Sequence, residues 1–471
     1  MIKRNISILI LILVALVARG GKMFTYSIPD GVKQNDDFTV RVRMIGGEWQ
    51  SVPTYLFMVD NVENGKHKSE NTSVAKFDFD GQVEVSVTSN HADIDSCCIR
   101  PLSFNIKGRK EGRTIIFTLD RPRYLSVEIN GDRFHNLQLF ADRIIEKPKV
   151  KERDLMYFGP GLHDFKGDSI AVPSGKTVFI DGGAVICGWF SVYQAHDVRI
   201  IGHGIVDPGH HEGIMVKYSK HVSIDGPLTT QIPVGGSDSV AVKNAKVISW
   251  YNWGDGMNVF ASSNVTYDNV FCRTSDDCST IYCTRLGYHG GCRNISVHGA
   301  VYWADVAHPI MIGLHGDIDR SEVIENVTYD DIDILDQAEN QIDYQGCIGI
   351  NDGDNNLVRG VTFSNVRIED IRKGMLINMR VCYNRKYCHA PGRGIEDITF
   401  RNVSYNGRNA AMSIIAGYDD SRMVRNIRFE NLRINGKAIY DDMPGKLQWY
   451  KTADYANIFV GEHVDGITFM K

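Results

Sequence analysis

Three aspartates near the middle of the 471-residue chain have a spacing that could support acid–base chemistry. Asp255 lies between Gly254 and Gly256, and the adjacent pair Asp276 and Asp277 begins 21 residues after it. In a parallel β-solenoid this separation is about one coil, and stacked coils lie about 4.8 Å apart. The three carboxylates would then share one wall, although like charges at that distance resist simultaneous ionisation. Such clusters are typical of catalytic sites.

Two interpretations of the adjacent pair are open. Neighbouring residues of a regular strand point to opposite faces, so Asp276 and Asp277 can share a wall only at a bend. Aspartates at bends are also ordinary turn residues that accept hydrogen bonds from backbone N–H groups. The spacing to Asp255 favours chemistry. Paired carboxylates are the basis of glycoside hydrolysis, where one protonates the leaving oxygen and another activates water or attacks.

Aromatic and histidine side chains near the aspartates are candidates for substrate binding. Trp253 and Trp303 could provide platforms for sugar rings, and so could Tyr288, which lies in an insert that could form a groove wall. These side chains could equally pack in a core or at an interface. His308 lies one coil further on. It could line the same wall, or it could be an ordinary core or surface histidine.

A repeated pattern indicates the element that positions these residues. The pattern alternates aliphatic and polar residues around a central aromatic residue, and it recurs at intervals of about 25 to 40 residues. A β-rich repeat of this length without a helical pattern predicts a parallel β-helix. Unequal intervals predict loops of variable length on one face. The clearest copies are residues 264–270, 326–332, 360–366, 397–403 and 426–432.

The rest of the chain divides into three further segments. Residues 1–20 are predicted as a signal peptide, because Lys3 and Arg4 precede a short apolar run. Export to the periplasm or the exterior follows, with no membrane contact after signal removal. Residues 24–146 alternate apolar and polar side chains at period 2 and are predicted as a β-sandwich accessory domain. Residues 147–160 are predicted as a linker, and the β-helix catalytic domain spans 161–471.

Composition excludes some classes of function. The net charge is −5, the pI is near 6.3, and basic residues are scattered, so nothing indicates nucleic-acid binding. Ten cysteines show no disulfide framework, and several are expected to be buried free thiols. Cys283, Cys292 and nearby histidines leave a zinc site open, although no Cys-x-x-Cys pair is present. The sequence otherwise predicts no metal and no cofactor.

Three short motifs resemble the signature blocks of the polygalacturonase-like β-helix hydrolases (glycoside hydrolase family 28). These are residues 254–256, 275–278 and 307–313. A β-sandwich ahead of the helix, joined through residues 157–163, is more similar to family 49, the dextranase and isopullulanase group. The resemblance implies a right-handed β-helix and single-displacement hydrolysis with inversion. It implies that Asp276 is the general acid, that Asp255 and Asp277 hold and activate water, and that His308 lies near the acid.

Departures from family 28 bear on the substrate. Polygalacturonases carry an Arg-Ile-Lys block that binds the galacturonate carboxylate, but the corresponding residues 346–352 contain no basic pair. A charge-assisted bond to a uronate therefore lacks its donors. A neutral poly- or oligosaccharide such as an α-glucan is the predicted substrate, and a pectic glycan is the alternative. A non-catalytic carbohydrate-binding β-helix and a calcium-dependent lyase using Arg273 or Arg285 also stay open.

Overall fold

The computed structural model describes residues 21–63 and 65–471, so the predicted signal peptide lies outside the described residues. The first part of the structure contains eleven strands in two small sheets. The strands are β1 (Lys22–Thr25), β2 (Phe38–Met44), β3 (Gln50–Val52), β4 (Thr54–Glu63), β5 (Lys66–Asp80), β6 (Val83–Ser89), β7 (Cys97–Arg100), β8 (Arg109–Glu111), β9 (Thr114–Leu119), β10 (Arg123–Ile129) and β11 (Leu137–Arg143).

The two sheets pack face to face as a sandwich. One sheet has the order β1-β5-β11-β10-β7 with β4 on β5, and the other has the order β3-β2-β6-β9-β8. Alternate side chains of both sheets point into a shared core, as the period-2 pattern predicts. Val85 from β6 and Leu139 from β11, for example, are both fully buried in that core.

The second part is a solenoid in which each strand pairs in parallel with the strand one coil later. Near the C-terminal end, β36 and β37 pair with each other in the antiparallel direction. The strands are β12 (Leu155–Phe158), β13 (Gly161–Ala171), β14 (Thr177–Ile180), β15 (Ala184–Tyr193), β16 (His196–Ile201), β17 (Ile205–Val206), β18 (Ile214–Lys217), β19 (Lys220–Asp225), β20 (Leu228–Thr229), β21 (Val234–Gly235), β22 (Asp238–Lys243), β23 (Lys246–Ile248), β24 (Met257–Phe260), β25 (Ser263–Thr274), β26 (Ser279–Tyr282), β27 (Cys292–Ala304), β28 (Ile310–Gly313), β29 (Glu322–Gln337), β30 (Ile348–Asp352), β31 (Asn356–Ile368), β32 (Ile377–Val381), β33 (Gly394–Tyr405), β34 (Ser413–Ala416), β35 (Val424–Glu430), β36 (Leu432–Ile434), β37 (Lys437–Ile439), β38 (Ile458–Val460) and β39 (Val464–Met470).

Helical structure in the described residues is limited to short segments. Two 3-10 turns span Leu102–Phe104 and Glu152–Asp154, and one helix, α1, spans Thr452–Tyr455. No helix among the described residues is long and apolar enough to cross a membrane.

The repeat found in the sequence forms columns inside the solenoid. Its central aromatic residues stack along the axis, with ring centroids between 4.6 and 5.5 Å apart in the last five members. Stacked aromatic pairs add to the energy of burial, which favours this register over its neighbours. The members of this stack are Tyr329, Phe363, Phe400, Phe429 and Phe469.

Asparagines at the bend of each coil form a second column. Asn294 donates its side-chain amide to the Oδ1 atom of Asn264 at 2.8 Å, and Asn326 donates to Asn294 at 2.7 Å. These residues have φ values between 54° and 57°, in the left-handed region that asparagine tolerates better than most residues. The recurring asparagine therefore both permits the bend and ties one coil to the next.

The sandwich packs against the solenoid through an apolar patch and buried ion pairs. Phe140 from the sandwich and Phe271 from the solenoid meet at a centroid distance of 5.2 Å. Beside them, the ammonium group of Lys246 lies 2.8 Å from the carboxylate of Asp142, and both side chains are buried. Buried pairs of this kind fix the relative position of the packed surfaces.

The all-β fold class with an N-terminal sandwich and a parallel β-helix is confirmed. The limits placed at residues 146 and 161 stay a prediction. Within the proposed linker, residues 155–158 form strand β12, which already pairs with β14 of the solenoid.

Candidate active site

Two consecutive coils bring the three predicted aspartates together. Asp255 lies two residues before the start of β24, and Asp277 lies two residues before the start of β26. Met257 pairs with Ser279 in the register of these strands, so Asp255 lies level with Asp277, the second member of the pair. Oxygen atoms of the three carboxylates lie within 4.8 Å of one another. The local coil is thus one residue longer than the 21-residue spacing suggested.

Glycines make the close approach of these coils possible. A Cβ atom on Gly254 would lie 2.3 Å from the Oγ atom of Ser275, and one on Gly256 would lie 2.3 Å from the carbonyl oxygen of Cys278. The N–H group of Gly256 also donates to the carbonyl of Asp277 at 2.8 Å. The Gly-Asp-Gly tripeptide therefore presents Asp255 at a point where no larger neighbour fits.

Asp277 is held as an acceptor by three donors. His308 donates to its Oδ1 atom from the backbone N–H at 3.1 Å, and the Nδ1 atom of the same residue lies 2.7 Å away. Tyr282 donates its hydroxyl to Oδ2 at 3.0 Å. With 3% of its surface exposed, Asp277 has little contact with water, so these donors are what stabilise a negative charge on it.

The environment of Asp255 and Asp276 raises the pKa of both carboxyl groups. Burial raises the pKa of Asp255 to about 8, and the charge of Asp277 adds to the shift. Burial also raises the pKa of Asp276 well above its usual range, followed by the charges of Asp255 and Asp277. Asp255 accepts only one side-chain bond, from Asn258 at 2.9 Å. The trio therefore combines two carboxyl groups that hold their protons tightly with a third, Asp277, that accepts three protein hydrogen bonds.

His308 is a buried residue that holds Asp277 in place. Its side chain is fully buried, and its Nε2 atom is bonded to the carbonyl oxygen of Tyr344. Burial opposes a charge on the ring, but the carboxylate of Asp277 outweighs it and the pKa of His308 is raised. Because both ring nitrogens have protein partners, His308 positions Asp277 and does not face a substrate.

The other predicted binding residues have different outcomes. Trp253 is 78% exposed and lies two residues before Asp255, where a sugar ring could stack on it. The prediction for Trp303 is wrong, because it is fully buried between the sandwich and the solenoid beneath the guanidinium of Arg273. Tyr288 is only 8% exposed, since its ring lies parallel to Phe260 at 5.9 Å. Tyr288 therefore forms part of the groove wall, but neither face of its ring is open for a sugar to stack on.

Sequence inspection missed several residues of the site. Tyr282 and Asn258 both bond to the carboxylates, and the carboxylate of Glu339 adds to the raised pKa of Asp276. Tyr282 and Asn258 lie on the outward face of their strands, which alternation with the apolar core residues of the same strands could have identified. Glu339 lies in a loop without a repeat pattern, so no sequence signal indicated it.

The structure bears on two alternatives from the sequence, a metal site and a lyase. Among the described residues, two groups could bind a cation: Asp255 with Asp276 and Asp277, and Asp78 with Asp142 and His203 at the sandwich interface. Cys283 and Cys292 belong to neither group, so the zinc option lacks a ligand set there. Arg273 is fully buried and paired with Asp305, which removes it as a base for a lyase.

A solenoid that carries buried carboxylates on one wall defines a class of right-handed β-helix proteins, and comparison with known structures agrees. Dex49A from Penicillium minioluteum matches with a TM-score of 0.60 and 13% identity, over 94% of this chain and 96% of that chain. This likeness confirms the right-handed β-helix and the two-part architecture that suggested family 49.

Residues 189–443 match the model of the glycosyl hydrolases family 28, which is more than half of the chain, and the chain belongs to that family. A protein of Aspergillus niger, provisionally named galacturan 1,4-alpha-galacturonidase A, is 23% identical over 41% of this chain and 45% of its own length. A protein of Arabidopsis thaliana, named a probable polygalacturonase, is 26% identical over 38% of this chain and 37% of its own length. The chain thus spans about half the length, or less, of these curated relatives.

Proposed function

We propose that the protein is an exported glycoside hydrolase that cleaves a polysaccharide or oligosaccharide by acid–base catalysis. The observation that carries this proposal is the cluster of three carboxyl groups on consecutive coils, two of which have a raised pKa while the third accepts three hydrogen bonds. Glycoside hydrolysis needs one carboxyl that keeps its proton and one that stays charged at the same pH. Membership of family 28 supports the same chemistry.

Each aspartate takes one role in the proposed reaction. Asp276 donates its proton to the glycosidic oxygen as the bond from that oxygen to the anomeric carbon breaks. A water molecule held between Asp255 and Asp277 attacks the anomeric carbon and releases a proton to Asp277. Transfer of a proton back to Asp276 completes the cycle. His308 and Tyr282 keep Asp277 charged and fixed during these steps.

The stereochemical outcome is a separate part of the proposal. Carboxylates of inverting enzymes typically lie about 6.5–9.5 Å apart and those of retaining enzymes about 5–5.5 Å apart. The oxygens here lie within 4.8 Å, which by itself favours retention. We propose inversion because Asp255 and Asp277 act together on one water molecule. The distance criterion describes sites with one acid and one base, so it does not apply to a site with three carboxyl groups. The anomeric configuration of the first product, followed by proton NMR, decides this point.

A neutral glycan is the first candidate substrate. The outward-facing residues of the two strands that follow His308 along the solenoid axis are Met311, Gly313, Gly349 and Asn351, and none of them has a positive charge that could pair with a uronate. A pectic glycan is the second candidate, favoured by one observation. Among the described residues, Arg285 forms no ion pair, and its charge acts on His315, which packs edge-on against Tyr282 at 4.8 Å. A free guanidinium near the site could bind a sugar acid.

The catalytic assignment is tested by replacing Asp276 with Asn. Loss of the general acid is expected to lower kcat by about 10²–10⁴-fold, whereas binding of the sugar, measured by calorimetry, is retained. Asp442→Asn, at an exposed position, is the matched control and should leave kcat unchanged. Full activity of Asp276→Asn would overturn the assignment and leave a carbohydrate-binding role.

The substrate is identified by screening the purified protein against neutral and acidic polysaccharides with a reducing-sugar assay. Cleavage of neutral glycans alone supports the first candidate, and cleavage of acidic glycans supports the second. An unsaturated product whose formation stops with a chelator would instead identify a lyase.

A further inference from the structure

Side chains on the outer face of the solenoid beside the catalytic aspartates are buried. Phe260, Tyr282, Met311 and Asn351 alternate with residues of the solenoid core, so they point outward, yet none exceeds 6% exposure. In a groove open along its whole length these positions would form the floor and would face water. Three of them belong instead to an apolar cluster separate from the solenoid core.

A hairpin covers one side of this face. Residues 284–291 fold back so that Tyr288 lies over Gly235, where a Cβ atom would meet the tyrosine ring at 2.3 Å. Tyr218 donates its hydroxyl to the carbonyl of Gly287 at 2.8 Å and fixes the hairpin. Arg285 and Tyr288 exchange backbone hydrogen bonds at its base. The hairpin is therefore a fixed lateral wall.

Two longer loops, residues 338–346 and 382–391, meet over the coils that follow the aspartates, and together they are named the strap. Tyr344 stacks on Tyr387 with centroids 4.6 Å apart. The amide oxygen of Gln341 accepts bonds from Tyr387 at 2.9 Å and from Lys386 at 2.6 Å. Arg380, on β32, donates to the carbonyl of Asp343 and so anchors the first loop to the solenoid.

The strap reaches the catalytic network directly. The ring of Tyr344 packs edge-on against His308 with centroids 4.3 Å apart, and His308 bonds to Asp277. On the opposite side along the solenoid axis, the loop before Asp255 presents Trp253 with 78% of its surface exposed. The site is thus covered immediately after the aspartates and is uncovered before them.

We propose that the strap closes the substrate site on its C-terminal side, so that the enzyme removes units from the end of a glycan chain and does not cut internally. This inference rests on the proposed hydrolase function. A polymer bound across the site would need a path past Tyr344, whose side chain is 7% exposed and held on two sides. Tyr344 and Tyr387 are then the residues that determine chain-end specificity, and the longer part of the substrate leaves past Trp253.

The product pattern of the wild-type enzyme tests the inference without any variant. A polysaccharide that is hydrolysed in the screen is digested, and both the viscosity and the size of the products are followed from the first minutes. Chain-end action releases one small product of constant size while the viscosity falls slowly. An early mixture of fragment sizes with a rapid loss of viscosity would overturn chain-end action but leave the hydrolase function intact. Absence of hydrolysis on every substrate would overturn both.

A variant assigns the specificity to the strap. Tyr387→Ala removes the stacking partner of Tyr344 and its bond to Gln341, so the ratio of internal to terminal cuts is expected to rise about three- to tenfold. Tyr450→Ala, at an exposed tyrosine in the C-terminal region, is the control and should not change the ratio. An unchanged ratio in a folded Tyr387→Ala enzyme, checked by its melting temperature, would remove the strap from the explanation.

Discussion

Asp276 lies close to two other carboxyl groups, and its chemistry follows from that position. Burial and the charges of Asp255 and Asp277 make its proton hard to remove. Asp277 meanwhile has three donors that favour its charged form. Because the groups interact strongly, they titrate as a unit, and the pH dependence of the enzyme reports on the trio as a whole.

The pH profile of kcat/KM is expected to be bell-shaped. Activity is lost as pH rises because Asp276 must be protonated to act as the acid. The alkaline limb of the profile lies above the usual pKa range of a carboxyl group, because the pKa of Asp276 is raised. Asp255, whose pKa is raised to about 8, becomes negatively charged in the alkaline range. Asp255→Asn removes that charge, which lowers the pKa of Asp276. The alkaline limb of the residual activity should move down by about one pH unit. A limb that stays in place would show that Asp255 does not act on the acid.

At the scale of elements, the tripeptide before β24 and the bend before β26 set the geometry of the site. The approach of the coils is limited by backbone atoms, since a Cβ atom on Gly256 would lie only 2.3 Å from the carbonyl oxygen of Cys278. Backbone cannot move aside as a flexible side chain can. The position of Asp255 relative to Asp277 is therefore set by the absence of a side chain next to it.

Gly256→Ala is accordingly expected to lower both the free energy of unfolding and kcat. Separation of the two coils should cost about 1–3 kcal/mol of unfolding free energy, a typical value for overpacking. The displaced carboxylate should lower kcat at least tenfold. Denaturant unfolding and steady-state kinetics measure the two effects. Gly159→Ala is the control, because its new Cβ meets only the movable hydroxyl end of Tyr157. Equal losses in both variants would contradict the role of Gly256.

The repeat in the sequence predicted the solenoid, and the spacing of the aspartates predicted that their carboxyl groups lie close together. The exact register of the two coils could not be predicted, because the bend adds one residue and aligns Asp255 with Asp277. The strap was also beyond prediction, because loops 338–346 and 382–391 carry no periodic pattern. Trp303 was misassigned because proximity in sequence does not reveal which face of a coil meets the sandwich.

At the scale of the whole molecule, the sandwich and the solenoid share a charged, buried interface. Lys246 and Asp142 are each 2% exposed or less. Burial alone would raise the pKa of Asp142, but the charges of Lys246 and His203 outweigh it and the pKa is lowered. Each charge is therefore tolerated only because its partner lies on the opposite surface.

Lys246→Met should destabilise the protein by about 3–5 kcal/mol, because it removes the ammonium group that is hydrogen-bonded to the buried carboxylate of Asp142. The loss is expected to be largest at neutral pH and smaller in acid, where Asp142 can take up a proton. Thermal unfolding at several pH values measures both effects. Lys243→Met, at an exposed position of the preceding strand, should leave the melting temperature nearly unchanged. A similar small change for Lys246→Met would contradict the role of the pair.

The interface also has a consequence for the order of folding. Contacts between neighbouring coils join residues a few tens of positions apart, whereas Arg100 of the sandwich bonds to the carbonyl of Leu335, 235 residues away. Closing a longer loop costs more chain entropy and slows the formation of the contact. Coils can therefore assemble by local propagation before the sandwich docks. The surface around Phe271 would stay open to water until that last step, and its amide protons should gain protection after those of the aromatic stack in a refolding experiment followed by hydrogen exchange.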